Sequence, residues 1–248
     1  MIQGADLDLF RRSVEQAAAA HTGPALDRAL LDMGWPDALA EDPATAISCL
    51  FAAQGYRNSR SAALVWVNQS AVVASGVVWG EPGPAGLDPA LGLLSDEAAV
   101  MPAVSPWARI ALGYEMAGAS RRMIELARDH ALGRVQFGRP ISQFQAVRHR
   151  LAEAQVALEG ATALLEAAGH EPALAPIAKA TAGRAARTTA RHCQQVLAGI
   201  GFTADHPFHR YFRRVMALEQ LLGSTRSLTR ELGVQVLDRR QLPPLLSL

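Results

Sequence analysis

Between Ser105 and Ala168 the chain carries two long runs of helical periodicity, separated only by the segment RVQFGRPISQFQAV, Arg134 to Val147. Two such runs with so short a connection must fold back on each other as a helical hairpin, and this limits the domain to a helix bundle. Ser105-Pro106 reads as the start of the first run, with serine in the capping position and proline in the first turn, where its missing N–H costs nothing. That run reaches Leu132, with Ile110, Ala117, Ile124 and Ala131 or their neighbours as its buried face, and Gly133 ends it. The second starts near Ser142 and carries Phe144, Val147, Leu151, Leu158 and Leu165 as its apolar stripe to Ala168, stopped by Gly169.

More helices follow. A third spans about Pro172 to Leu197, where Ala180, Ala182, Gly183 and Ala186 permit close helix approach. A fourth begins near Pro207, and the last covers roughly Thr225 to Asp238. Upstream, Leu7 to His21, about Ala25 to Asp32, and Pro43 to Gln54 read as shorter helices. Met33-Gly34-Trp35-Pro36 reads as a turn, and Ile47, Leu50 and Phe51 as an inward face. Leu64-Val65-Trp66-Val67 and Val72-Val73 fit strand or helix equally, because runs this short do not reveal their period. The division expected is a helical region over 1–60, a middle segment over 61–104, a bundle over 105–240 and a tail over 241–248.

Composition closes off several function classes. Half of the 248 residues are hydrophobic, enough for a sizeable core, and a net charge of +1 offers no field for nucleic acid or for a strongly basic partner. The cations are almost all arginine, and Lys179 is the sole lysine. The run Ser61 to Gly80 is interrupted by Asn68, Gln69 and Ser70, which argues against a membrane span. Cys49 and Cys193 lack companions at metal-ligand spacing, and MIQGADLDLFRR lacks the apolar core of a secretory signal, so a reducing cytoplasm is the expected setting. His206 and His209, at i, i+3, are two ligands without a third.

The corner itself gathers a guanidinium, an aromatic ring and side-chain amides, a set suited to a phosphate or carboxylate ligand. Taken alone, the same residues also read as a plain helix connection, since Gly and Pro favour turns. A second segment, QVLAGIGFTADHPFHRYFRR from Gln195 to Arg214, adds amides and open glycine backbone, and likewise reads alone as a glycine-capped helix end. Taken as an ordered pair, the two segments resemble the signature of the acyl-CoA dehydrogenase family, in which an R-x-x-F-G corner followed by a Gln lies in the C-terminal helical domain.

The resemblance implies a mainly α fold: the family's C-terminal four-helix bundle, a shortened N-terminal helical region, and a middle β-domain that is reduced or absent. It implies FAD as cofactor, with Arg134, Phe137, Gln145, Gln195 and Gly199 gripping its adenosine diphosphate part, as this domain does in the family for the flavin of a dimer mate. The family's reaction also needs a carboxylate base. Its two known placements fall on Leu222 and, beside Arg109, on Ala108, neither of which can take a proton. Glu219 and Glu115 are the fallback acids, with Asp205 a more distant one. The whole pattern resembles the degenerate subunit of the heteromeric, typically α2β2, acyl-CoA dehydrogenases of actinobacterial steroid side-chain breakdown. The implied partner is a full-length subunit that supplies the barrel, the base and most of the acyl-CoA site. Two other readings stay open: a flavin-free homo-oligomer of the helical domain, and a minimal self-sufficient flavoenzyme using Glu219 or Glu115.

Overall fold

The computed structural model describes residues 4–68, the strand backbone at 73–74, 77–79 and 93–95, and residues 104–240. The Gly- and Pro-rich stretch from Gly80 to Pro89 and the tail 241–248 lie outside the described residues.

Five helices make up the N-terminal region: α1 (Ala5–Ala20), α2 (Pro24–Asp32), α3 (Trp35–Glu41), α4 (Pro43–Arg57) and α5 (Ala63–Asn68). The turn expected over Met33 to Pro36 is confined to Met33-Gly34, with Gly34 left-handed at φ 73°. Trp35 and Pro36 already belong to α3, where proline suits the first turn and the buried Trp35 indole N–H donates to the Ala46 carbonyl at 3.2 Å. The ambiguous Leu64 to Val67 run is helical, because Ala63, Leu64 and Val67 all bury in the core. Three short strands, β1 (Val73–Ala74), β2 (Val77–Trp79) and β3 (Leu93–Ser95), pair antiparallel in that order.

The bundle consists of α6 (Pro106–Gly133), α7 (Gln145–His170), α8 (Ala175–Leu197), α9 (Phe208–Gln220) and α10 (Thr225–Arg239). Helix α6 is its axis. It packs against α4, α7, α8 and α9 together, so its burial is nearly all-round over its first half rather than confined to one stripe. Ile110 and Ala131 are buried as expected, while Ala117 and Ile124 are only partly covered. Ser105 does occupy the cap of α6, but its side chain makes no capping bond; its own N–H donates to Asn68 Oδ1 at 2.9 Å, tying α6 to the end of α5. Helix α7 begins at Gln145, three residues later than the sequence suggests, because Ile141–Gln143 forms a tighter 3₁₀ turn first.

Helices α4 and α6 cross in direct backbone contact. A Cβ placed on Gly55 would fall 1.9 Å from the Glu115 carbonyl oxygen, and one on Gly118 2.1 Å from that of Ala52, so each glycine is required by the other helix. Beside this crossing Arg214 of α9 is fully buried, donating through Nε to Glu115 Oε1 at 2.8 Å and through Nη1 to Asn58 Oδ1 at 3.2 Å. The pair joins α9, α6 and the end of α4 at one point.

Candidate functional site

At the end of α6 the chain makes a two-residue hairpin, with β4 (Val135–Gln136) pairing β5 (Arg139–Pro140). Phe137 and Gly138 form its turn at φ 54° and 79°, the two positive angles that a tight hairpin of this hand demands. Glycine meets that demand freely, whereas Phe137 adopts it against its own Cβ, and its ring is 90 % exposed. The ring stands edge-on to Phe144 at 6.0 Å, and the Arg139 guanidinium lies over Phe144 at 4.2 Å. Arg134 caps α6: its N–H donates to the His130 carbonyl, and its carbonyl accepts from Ile141 N–H, both at 2.8 Å. The exposed side chains of Arg134 and Gln145 have no hydrogen-bonding or ion-pair partner among the described residues.

The second segment reaches the same end of the bundle. Helix α8 runs out into a 3₁₀ turn, Ala198–Phe202, and the ring of His206 just beyond meets His130 of α6 at 6.5 Å, edge to face. Nearby, Arg150 of α7 approaches His192 Nδ1 of α8 at 3.3 Å. Gln195 and Gly199 line a groove of about 560 Å³ with Arg187, Arg191, Phe202 and Phe212. The fold therefore brings the five expected cofactor residues to one end, but not into one cavity: Arg134, Phe137 and Gln145 stand outside this groove.

The donors fit a diphosphate-bearing cofactor. None of the described residues stands within 4 Å of a Cβ placed on Gly199, so none of them demands glycine there, while a Cβ on Gly201 would fall 2.9 Å from Leu197 Cβ and is disfavoured by packing. Nε2 of Gln194, whose side chain lines the groove, is a buried donor with no partner among the described residues. Together with the unpaired guanidinium of Arg134, these are the groups an anionic dinucleotide would satisfy.

The opposite arrangement holds at the two positions where the sequence leads one to expect the family's base. Ala108 and Leu222 are both buried, and the two placements converge in space: Arg109 Nε donates to the Leu222 carbonyl at 3.1 Å. Leu222 and Gly223 form a left-handed turn at φ 52° and 103° between α9 and α10. Lys179 holds the same turn, donating to the carbonyls of Glu219 at 3.0 Å and Gly223 at 2.5 Å. Burial pulls the Lys179 ammonium down to about 7, with Glu219 opposing that shift and Arg109 adding to it.

Both fallback acids are committed elsewhere. Glu219 is buried, and its carboxylate accepts from Thr225 N–H at 2.8 Å at the start of α10 and from the Gln220 amide. Glu115 is paired with Arg214; burial raises its carboxyl pKa and the guanidinium pulls it back. Asp205 is exposed in the loop before α9. His206 Nδ1 accepts from Phe208 N–H at 3.3 Å and His209 Nδ1 bonds the His206 carbonyl at 2.8 Å, so both rings serve the start of α9. Among the described residues no cluster of three metal-binding side chains exists.

Periodicity and motif matching gave no sign of the Lys179 clamp, the Arg109 bond or the Arg214–Glu115 pair. A single lysine in an arginine-rich chain was the one available signal, and it marked the place where a compact cation must reach two carbonyls at once.

Comparison with known proteins agrees with this architecture. Residues 99–237 match the family model described as acyl-CoA dehydrogenase, C-terminal domain. The acyl-CoA dehydrogenase IpdE2 of Mycobacterium tuberculosis is 39 % identical over 137 residues, a match covering 54 % of this chain and 43 % of that protein. FadE34 of the same organism is 37 % identical over 131 residues, 49 % of this chain and 18 % of that one. This chain thus spans less than half the length of these curated relatives. Among solved structures, the Tcur3481-Tcur3483 steroid ACAD superposes with a TM-score of 0.74 at 18 % identity, covering 94 % of this chain and 98 % of its counterpart. The ChsE4-ChsE5 complex from Mycobacterium tuberculosis gives 0.69 at 18 % identity, over 98 % and 99 %.

Proposed function

The chain belongs to the acyl-CoA dehydrogenase family through its C-terminal helical domain, and from that premise we propose that it is the base-lacking subunit of a heteromeric acyl-CoA dehydrogenase that holds the diphosphate part of a shared FAD. In this division of labour residues 105–240 form the gripping bundle, 1–60 the helical support and 61–104 a reduced middle segment. A full-length partner supplies the barrel, the glutamate and most of the acyl-CoA contacts, in an α2β2 assembly. FAD, when bound, accepts the hydride in the family's α,β-desaturation.

The chain's own residues have simpler tasks. Arg134 presents a planar fork to pyrophosphate, Phe137 and Gln145 flank it, and Gln195 with Gly199 approaches by amide and bare backbone. No step of proton abstraction falls to this chain, because apolar side chains fill both base positions and the neighbouring carboxylates are spent on Arg214 and on α10. The observation that carries the reading is this contrast: the expected gripping residues are exposed, and Arg134 and Gln145 lack hydrogen-bonding or ion-pair partners among the described residues, while the expected base positions are buried and apolar. A steroid-derived acyl-CoA is the substrate class we favour, since a structural neighbour is a steroid enzyme and a short middle segment leaves room for a bulky acyl group. The buried free cysteines suit a reducing cytoplasm.

The test is flavin content and mass of the chain alone and copurified with a full-length family member. Flavin only in the mixed complex, at about one per pair of unlike chains by the shared-site geometry, and lost with Arg134→Ala, is the expected result. Stoichiometric flavin and turnover in the chain alone would overturn the reading in favour of a self-sufficient enzyme. A colourless homo-oligomer that ignores the partner would overturn it in favour of a structural protein.

A further inference from the structure

A second, larger cleft of about 770 Å³ lies away from the flavin end, where α1 and α4 meet α6 and α7, and it shares no lining residue with the groove of Gln195. It exists because α1 packs on α4 while α7 packs on α6, leaving α1 and α7 apart across the crossing. Its size is that of a pocket for a small organic ligand. The floor includes Ala52, Ala53, Ala117 and Gly118, all small, and Gly118 must stay so because a Cβ there would fall 2.1 Å from the Ala52 carbonyl oxygen.

The polar groups around it are unevenly committed. On one side Tyr56 donates to Glu125 Oε2 at 2.7 Å, Arg122 pairs with the same oxygen at 2.9 Å, and Arg57 lies over the Tyr56 ring, a closed network. On the other, Arg11 lines the cleft beside the buried Cys49 thiol, whose pKa burial raises and the guanidinium lowers, and Arg121 has no partner among the described residues. Tyr114 is only 9 % exposed, yet its hydroxyl lacks a hydrogen-bond partner among the described residues; Cys49 and Glu166, which lie close to it, line the cleft with it. That hydroxyl is not among the fully enclosed polar atoms left without a partner, so it opens to the cleft, where a ligand oxygen would take the place of water.

We propose that this cleft binds a small amphipathic monoanion of the carboxylate class, its charged end between Arg11 and Arg121, an oxygen within reach of the Tyr114 hydroxyl, and its apolar body on the alanine and glycine floor. A guanidinium supplies the paired donors that a carboxylate accepts. The carboxylates of Glu15 and Glu166, also in the lining, select against more highly charged anions.

Calorimetric titration with 2-naphthoate, using the full chain alone or in its complex, tests this directly. One saturable site is expected, weakened about tenfold or more in Arg11→Ala/Arg121→Ala, as the loss of charge-assisted hydrogen bonds implies. Tyr114→Phe should weaken it less, and the neutral analogue 2-naphthamide should bind far more poorly than the acid. Both arginines are exposed, so these variants keep the fold, and flavin content of the complex should not change in either, which separates this test from that of the shared cofactor site. Absence of saturable 2-naphthoate binding, equal binding by the arginine variant, or equal binding of the amide would each overturn the proposal.

Discussion

The two ends of the bundle treat polar side chains in opposite ways. At the hairpin end Arg134, Gln145 and Gln195 are exposed, and their side chains have no hydrogen-bonding or ion-pair partner among the described residues. In the region of Arg214, Lys179 and Glu219 every buried charge is matched by a carboxylate, an amide or a backbone carbonyl. A buried charge without partners is too costly to keep, so the inner groups must be satisfied within the chain. Exposed groups are under no such constraint, because water satisfies them, and so they are free to make the cofactor contacts proposed for them. The inner region is fold; the outer end is the part available for function.

The sharpest way to break this comparison is to unbalance the inner region. Arg214→Met strands the Glu115 carboxylate and should cost about 3–5 kcal/mol, whereas Glu115→Leu/Arg214→Met together should recover most of that loss. Urea unfolding of the three proteins decides it; a single variant as stable as the native chain would mean that the pair does not hold α9 to α6.

Glycines offer a matched pair at the next level. Gly118→Ala forces a methyl against the Ala52 carbonyl and should destabilise by about 1–3 kcal/mol through helix displacement. Gly199→Ala, with open space around it, should leave stability within about 0.5 kcal/mol while lowering flavin retention in the complex. Equal melting losses in the two variants would erase the distinction drawn here.

Lys179 gives a pH signature. Its pKa is depressed in the fold, to about 7, against 10.5 for the free side chain. Between those values the unfolded chain retains a proton that the folded one has released, so this residue makes stability rise with pH across the window. Thermal melts from pH 7 to about 10 should show that rise in the native chain and a flatter profile in Lys179→Met. The same slope in both would remove Lys179 as its source. The smallest effect on stability belongs to Arg134→Ala, expected within about 0.5 kcal/mol by unfolding. A larger loss would mean that this arginine belongs to the fold after all.

Much of the fold was legible because local rules and tertiary packing agreed. Pro106, Gly133, Gly169 and Thr225 each stand within a residue or so of an observed boundary. The start of α7 lies three residues past the position the sequence suggests because a 3₁₀ turn and a helix share the same first residues, and Trp35-Pro36 has the look of a turn because proline marks both turns and helix starts. The exposed end was legible as two motifs whose residue types are particular to ligand chemistry. The inner clamp was not, because its partners are main-chain carbonyls, and a carbonyl leaves no mark on the sequence.

By itself, then, the sequence determined the helices, the corner and the apolar residues at both expected base positions, since these depend on residue type and spacing along the chain. Only the tertiary structure decided that Ala108 and Leu222 occupy one sealed place, that Glu115 and Glu219 are already taken, and that a cleft opens between α1 and α7. The physical reason is the same in each case. Burial and partnership depend on which distant segments meet, as Arg214 meets Glu115 and Lys179 meets Gly223, and that is settled by how helices pack around α6, not by any local pattern.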